Sequence, residues 1–440
     1  MNYWQGVSNV VVVGLGITGL SVVNYLQRYH PKVSVKVIDT RENVPNVQQL
    51  PSDVSLHSGS WNQTWLNDAD LIIANPGIAL AAPELQGALE LGVPVVGDIE
   101  VFAWHVTAKT LAITGSNGKS TVTDLTGALA KAAGVRVAVG GNIGVPALDL
   151  IADDVELYVL ELSSFQLETT SNLKLAAAAF LNLSEDHMDR YQGMADYKLA
   201  KQRIFRHAEL AVVNLDDDET QPFDISVPCC QFSLSHNHAD YGLTTIDGKE
   251  WLVGKEQYIL PVEQLTLVGR HNIANALAAI SLLDAVAVDR AAYLDQLQTY
   301  NGLTHRCQLV VERDGIKWVN DSKATNVAST LAALSGLHCA GRLYLLMGGN
   351  GKGADFSELA PVLATLDVTL GCYGADGDEF LQLHPNSYRF DTMQQAIDTF
   401  APQAESGDII MLSPACASFD QFPNFMARGD AFTQIAQNWQ

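Results

Sequence analysis

A chain of 440 residues is too long for one ordinary hydrophobic core, and typical domain sizes divide it into about two to four domains, of which three fits the motifs best. Hydrophobic residues at 48% against charged residues at 17% exclude a disordered chain, and a net charge of -23 argues against a nucleic-acid surface, which needs clustered Lys and Arg. The six cysteines show no metal-type pair spacing and fit a reduced, cytoplasmic protein.

The first 27 residues carry no charged side chain, but there is no basic leader, and Gly14, Gly16 and Gly19 break the run. A buried strand, turn and helix are therefore expected there, not a signal or membrane segment. Asn9 to Val13 reads as a strand, Gly14-Leu-Gly16-Ile17-Thr18-Gly19 as a turn opening a helix, and Val33 to Ile38 as a second strand ending at Asp39-Thr40-Arg41. This is the βαβ opening of a doubly wound sheet. Strands at Leu71 to Ala74 and Val93 to Val96, with a turn at Asn75-Pro-Gly77, complete a first domain over residues 1–97. Asp39 lies twenty residues beyond Gly19, the spacing of a dinucleotide site whose acid takes a ribose hydroxyl. On spacing alone NAD or FAD, another nucleotide-like ligand and a purely structural turn all stay open.

A second domain, residues 98–302, contains Leu111 to Thr121, an apolar strand running into a glycine turn. Bare N–H groups of the turn, one ammonium and two hydroxyls are what a polyphosphate needs at a positive helix start, so ATP or a similar nucleotide is expected. The strict P-loop would need glycine where Ile113 stands; the loop is shortened to Gly115-Ser-Asn117-Gly118-Lys119-Ser120. Glu161, ending the next strand, is placed to bind Mg²⁺ with Ser120 and the phosphates, or to act as a helix-cap acid. Glu185-Asp186-His187-Met-Asp189 follows another strand and offers either a second metal ligand or a structural histidine. Lys198 and Lys201, on a helix over residues 195–205, read plainly as solvated lysines. Residues 211–267 turn β-rich, with a hairpin at Asp247-Gly248, and a long helix through Asn272 and Asn275 follows.

A third domain, residues 303–440, alternates strands and helices again. The loops Asn320 to Asn326 and Gly348 to Gly353 put Lys323 and Lys352 on polar backbone in an acidic chain, which points to an anionic partner. Ser413 to Phe422 is a further strand end, without the glycine elbow of a serine nucleophile.

Taken in order, Thr114 to Thr121, Glu161 to Leu167, Asn182 to Arg190, His305-Arg306, Asn320 to Asn326 and Ser413 to Ser418 resemble the Mur ligases over nearly the whole chain. The resemblance implies three α/β domains: an N-terminal Rossmann-like sheet, a central ATP-binding sheet with a small β excursion, and a C-terminal Rossmann-like sheet. It implies an ATP-dependent ligase of peptidoglycan precursor synthesis joining D-glutamate to UDP-N-acetylmuramoyl-L-alanine, by way of an acyl phosphate. Gly115, Asn117, Gly118, Lys119, Ser120 and Thr121 would hold the ATP phosphates, and Asn272, Asn275, Arg306 and Asp321 would face its nucleoside. Ser120 and Glu161 would hold a first Mg²⁺, and His187 with a carbamylated Lys201 a second. Lys119, His187, Lys201 and Lys323 would be catalytic. Ile17, Thr18, Asp39, Thr40, Arg41 and Gly77 would hold uridine diphosphate, so the opening fingerprint would serve UDP and not NAD. Asn142 and Gln166 would line the muramoyl path, while Thr325, Lys352, Ser418 and Phe425 would surround D-glutamate. Asn350 departs from the Asp that relatives often carry beside this lysine loop. A monomer without nucleic-acid partner or membrane insertion is expected.

Overall fold

The computed structural model describes residues 3–188, 190–267, 269–334, 337 and 339–439. The chain separates into two compact units, one of residues 1–232, 238–240 and 278–292, the other of residues 233–237, 241–277 and 293–440.

The first unit holds two parallel sheets. Strands β1 (Asn9–Val13), β2 (Ser34–Asp39), β3 (Ser55–Ser58), β4 (Leu71–Ala74) and β5 (Val95–Val96) pair in the order β3-β2-β1-β4-β5. Val10 to Val13 are all buried, as a central parallel strand covered on both faces requires. β5 starts two residues later than the pattern Val93 to Val96 suggests, because Pro94 has no N–H to donate and contributes only its carbonyl, to Ile72. The uncharged opening forms β1 and the helix Ile17–Tyr29, and no helix among the described residues is long and apolar enough to cross a membrane. That helix begins directly against the strand end: a Cβ on Gly19 would lie 2.0 Å from the Gly14 carbonyl oxygen, so only glycine allows the approach.

The second sheet contains β6 (Lys109–Thr114), β7 (Val137–Gly141), β8 (Leu157–Glu161), β9 (Ala177–Phe180), β10 (Ala211–Asn214) and β11 (Cys229–Phe232), ordered β11-β10-β9-β6-β8-β7 and parallel throughout. The two sheets share one apolar core, in which Leu20 and Val23 of the first helix join Ile99, Phe102, Leu148 and Tyr158. Polar bonds fix the join: Ser21 Oγ donates to Asp149 at 2.8 Å, and Glu100 accepts the N–H groups of Ser171 and Asn172.

In the second unit β12 (Tyr241–Ile246), β13 (Lys249–Gly254) and β14 (Gln257–Pro261) form an antiparallel run whose first hairpin turns at Asp247-Gly248, as the sequence suggests. Six further strands, β15 (Gln308–Arg313), β16 (Ile316–Asn320), β17 (Leu343–Gly348), β18 (Val368–Tyr373), β19 (Ser387–Arg389) and β20 (Ile409–Leu412), pair as β15-β16-β20-β17-β18-β19. Only the β15–β16 edge is antiparallel. The carboxyl ends of β16, β17 and β20 feed the three polar loops singled out in the sequence, where ligands of such sheets bind.

Replacing Gly19 by Ala is expected to cost about 1–3 kcal/mol of stability in a urea titration, through the backbone clash. Gly16→Ala, with nothing within 4 Å of the added methyl, should stay within about 0.5 kcal/mol.

Candidate functional site

In the first unit a cavity of about 430 Å³ opens at the carboxyl ends of β1, β2 and β4 and is closed on its far side by the second sheet. The start of the helix at Ile17 and Thr18, the β2 end with Asp39, Thr40 and Arg41, and Gly77 after β4 line one wall. Asn142 after β7 and Gln166 of the helix Ser164–Glu168 line the other. The structure thus brings into one cavity all eight residues of this unit expected around the nucleotide-linked substrate.

Asp39 is bonded within its own turn and to Leu15. One oxygen accepts the Leu15 N–H at 2.8 Å, the other the Arg41 N–H at 3.0 Å, and both receive the Arg41 guanidinium, at 2.8 and 2.6 Å. This guanidinium above all holds the carboxyl down to about 2, well below the ordinary carboxylate range. The acid is fully used in fixing the turn and aiming Arg41, which lines the cavity and is half-exposed.

The glycine loop follows β6 and opens the helix Lys119–Ala132. Gly118 sits at φ +80°, a left-handed position that leaves the next N–H groups at the helix start unencumbered. The loop is pinned to the segment after β9. Ser116 N–H donates to the Asn182 carbonyl, Asn117 N–H to the Asn182 side chain at 2.8 Å, and Ser116 Oγ to the Ser184 carbonyl at 2.9 Å. Lys119 Nζ bonds the loop's own carbonyls at Gly115 (2.8 Å) and Ser116 (2.9 Å). Ser120 and Thr121 are buried at the first turn.

Lys201 overturns the plain reading of a solvated lysine. Its side chain is 1% exposed, and Nζ donates to the same Gly115 carbonyl at 2.8 Å. Burial, and next the charge of Lys119, push its pKa well below the usual lysine value, toward a neutral amine. Lys198 stays at the surface side, paired with Glu219 at 2.7 Å. Glu161, 3% exposed, accepts Asn142 Nδ2 at 2.7 Å through one oxygen, while the other is buried without a partner. His187, in a left-handed turn, is half-exposed, with its ring 4.8 Å from that of Phe165 and Nε2 3.5 Å from Asp186. Asp189 lies outside the described residues. Among the described residues no three His, Cys, Asp or Glu side chains converge as a ready-made metal cage.

In the second unit Asn275 donates to Asn272 at 3.0 Å on the helix Arg270–Ala285, both side chains buried. Asp321 accepts the Cys307 N–H and, at 2.7 Å, the Ser413 hydroxyl; burial raises its pKa to about 7, with Arg306 a small opposing influence. Lys323 Nζ lies 4.4 Å over the Phe425 ring and Lys352 Nζ 5.7 Å over Phe419. Thr325 N–H closes a tight turn onto the Lys323 carbonyl. Asn350 and Ala417 exchange backbone hydrogen bonds at 2.9 Å, which brings the Lys352 loop alongside Ser418, whose buried hydroxyl has no partner. Asn350 itself caps the Lys352 N–H.

Sequence reasoning missed Arg428. It is 0% exposed and donates to Ser322 Oγ, to the Ser322 and Cys416 carbonyls, and at 3.4 Å to that of Gly348, tying all three strand-end loops together. An arginine in line with Phe432 and Ala436 on the buried face of the helix Phe425–Asn438 was the available signal. Asn182 and Ser413, polar residues that open two of the singled-out motifs, were given no role of their own in the sequence, and the structure shows them bonding the Asn117 N–H and the Asp321 carboxylate.

Residues 8–97 match the Mur ligase MurD-like N-terminal domain, residues 113–283 the Mur ligase middle domain, and residues 305–416 the Mur ligase glutamate ligase domain. Over 440 residues, all of both chains, the sequence is 63% identical to the UDP-N-acetylmuramoylalanine--D-glutamate ligase of Vibrio cholerae O395 and 64% identical to the protein of that name from Vibrio atlanticus. Among solved structures it resembles the UDP-N-acetylmuramate-alanine ligase of Thermotoga maritima, with TM-score 0.58, 18% identity, and 98% of this chain and 100% of that one covered. A D-alanyl-D-alanyl-adding ligase of Acinetobacter baumannii gives TM-score 0.60 at 16% identity, with 100% and 92% covered. These two structures speak to the fold alone.

Because its folded pKa is depressed, Asp39 contributes stability that is complete above its unfolded value near 4 and is lost as pH falls toward about 2. Urea midpoints measured through that window should fall more steeply for the wild type than for Asp39→Asn; parallel curves would show the Arg41 bond to be without energetic weight.

Proposed function

The chain belongs to the Mur ligase family, and we propose that it joins D-glutamate to UDP-N-acetylmuramoyl-L-alanine with ATP, releasing ADP and phosphate in peptidoglycan precursor synthesis. The observation that carries this is likeness over the full length to proteins bearing that activity in their name, at 63% and 64% identity. A glycine loop, a carboxylate with a spare oxygen and a cavity at strand ends, all within one unit, give the reaction its physical means.

A carboxylate resists attack by an amine until one of its oxygens can leave. Transfer of the ATP γ-phosphoryl group to the L-alanyl carboxylate supplies that leaving group as an acyl phosphate, with ADP as the other product. The D-glutamate amine then adds to the carbonyl carbon, and the tetrahedral intermediate collapses to the amide, expelling phosphate. Anions crowd at both stages, so fixed positive charge is the main demand on the protein.

The N–H groups from Gly115 to Thr121 and the ammonium of Lys119 would hold the ATP phosphates, Lys119 exchanging its loop carbonyls for phosphate oxygens. Ser120 and the unpartnered oxygen of Glu161 suit a first Mg²⁺, a hard cation that prefers such oxygens. His187 and Lys201 would serve a second. Mg²⁺ bound among these groups supplies charge that offsets the phosphate oxygens. Burial and the Lys119 ammonium on the same carbonyl oxygen disfavour a charged Lys201, and addition of CO₂ to the neutral Lys201 amine, with loss of one proton, would put a carbamate anion beside Lys119.

In the cavity the helix start at Ile17 and Thr18 suits a diphosphate, with Asp39, Thr40, Arg41 and Gly77 around the nucleotide and Asn142 and Gln166 toward the muramoyl group. Asn272, Asn275, Arg306 and Asp321 would face the ATP nucleoside. Lys323, Thr325, Lys352, Ser418 and Phe425 would meet D-glutamate, Ser418 through its free hydroxyl. Domains over residues 1–97, 98–302 and 303–440, a monomeric state and a cytoplasmic setting complete the proposal.

Phosphate release should require ATP, D-glutamate and the muramoyl nucleotide together, and L-glutamate should not replace the D-isomer; release without either acceptor or nucleotide would overturn the ligase reading. Lys201→Ala should lose activity by about 10²-fold or more and recover part of it with added short carboxylic acids. Full activity in that variant would remove the carbamate.

A further inference from the structure

Arg190 is unused in the account so far, yet it touches both halves of the site in the first unit. Its guanidinium donates to three consecutive carbonyl oxygens of the cavity rim: Pro76 at 3.4 Å, Gly77 at 3.3 Å and Ile78 at 3.1 Å. Carbonyls of successive residues alternate in direction along an extended strand, so three of them meeting one cation mark a loop whose shape the guanidinium fits. The other side of the guanidinium lies 4.3 Å over the Phe165 ring, and Glu168 approaches it at 3.8 Å.

The same Phe165 ring packs against His187, 4.8 Å between centroids, and Arg190 N–H closes the turn onto the His187 carbonyl at 2.9 Å. Backbone and ring stacking thus make Arg190 and His187 parts of one turn. Gln166, next to Phe165, faces the cavity. The loop after β4 and the loop after β9 are therefore joined through one side chain, although more than a hundred residues separate them in sequence.

We propose that Arg190 is a positioning residue that couples the rim of the nucleotide cavity to His187, so that a uridine nucleotide seated against Gly77 steadies the imidazole expected to hold the second Mg²⁺. The proposal rests on reading the cavity as the nucleotide site. Arginine is required because only a planar fork of five N–H groups reaches three carbonyls while stacking on a ring; lysine keeps the charge but offers a point donor.

The test uses the full chain, with UDP binding followed by calorimetry and the ligase reaction titrated with Mg²⁺. Arg190→Lys should weaken UDP binding about tenfold and raise the half-saturating Mg²⁺ several-fold, while KM for D-glutamate stays within about twofold. Unchanged UDP affinity, or an equal rise in every KM, would overturn the coupling. Phe165→Leu breaks the relay beyond Arg190 and gives a second measure should Arg190→Lys not fold. It should shift the Mg²⁺ requirement and spare UDP binding, and an unshifted requirement would overturn the proposal too. A wild-type chain that binds no UDP sinks the cavity reading itself, and the inference with it; UDP binding by the wild type with an indifferent Arg190→Lys sinks the inference alone.

Discussion

One carbonyl oxygen organises the chemistry of the first unit. Gly115 O receives the Nζ of Lys119 and of Lys201, each at 2.8 Å, where bulk water cannot screen the two charges from one another. The fold holds this arrangement because the loop bearing the oxygen is stitched to Asn182 and Ser184 and cannot relax outward. Burial, with the Lys119 charge adding to it, drives the Lys201 amine toward neutrality, beside a buried carboxylate with one oxygen to spare. An overall charge of -23 does not conflict with this, since the cations that matter are few and inward.

The second unit solves a related problem differently. Its lysines rest over aromatic rings, Lys323 on Phe425 and Lys352 on Phe419, which restrict each ammonium without neutralising it. Asp321 is buried deeply enough to titrate near neutrality, and its bond to Ser413 links the β16 and β20 ends. The positive loops are thereby shaped mainly by hydroxyls, carbonyls and ring faces.

Much of this was legible in the amino-acid order. Continuous apolar runs such as Val10 to Val13 mark parallel strands, and glycine spacing marks both turns at strand ends, because these signals are local and strong. The helix Met194–Gln202 was legible as a helix, but the side on which its Lys201 is buried was not. Leu199 is 55% exposed and Lys201, two residues on, is 1% exposed, the reverse of what side-chain polarity suggests, because the helix packs beneath the glycine loop and its lysine reaches a carbonyl there. Spacing singled out Asp39 but not its partner: Arg41, only two residues away, bonds both oxygens of the carboxylate. The Arg190 clasp depends on contacts across the chain that no short window contains.

Arg428 carries a consequence for redesign. Because one guanidinium serves carbonyls at Ser322, Gly348 and Cys416, the three loops share a keystone that belongs to none of them. Grafting a single loop from a relative would leave the keystone cut for the old geometry, with orphaned carbonyls around an unhydrated cation. The three loops and the helix Phe425–Asn438 thus form one cassette, to be exchanged together.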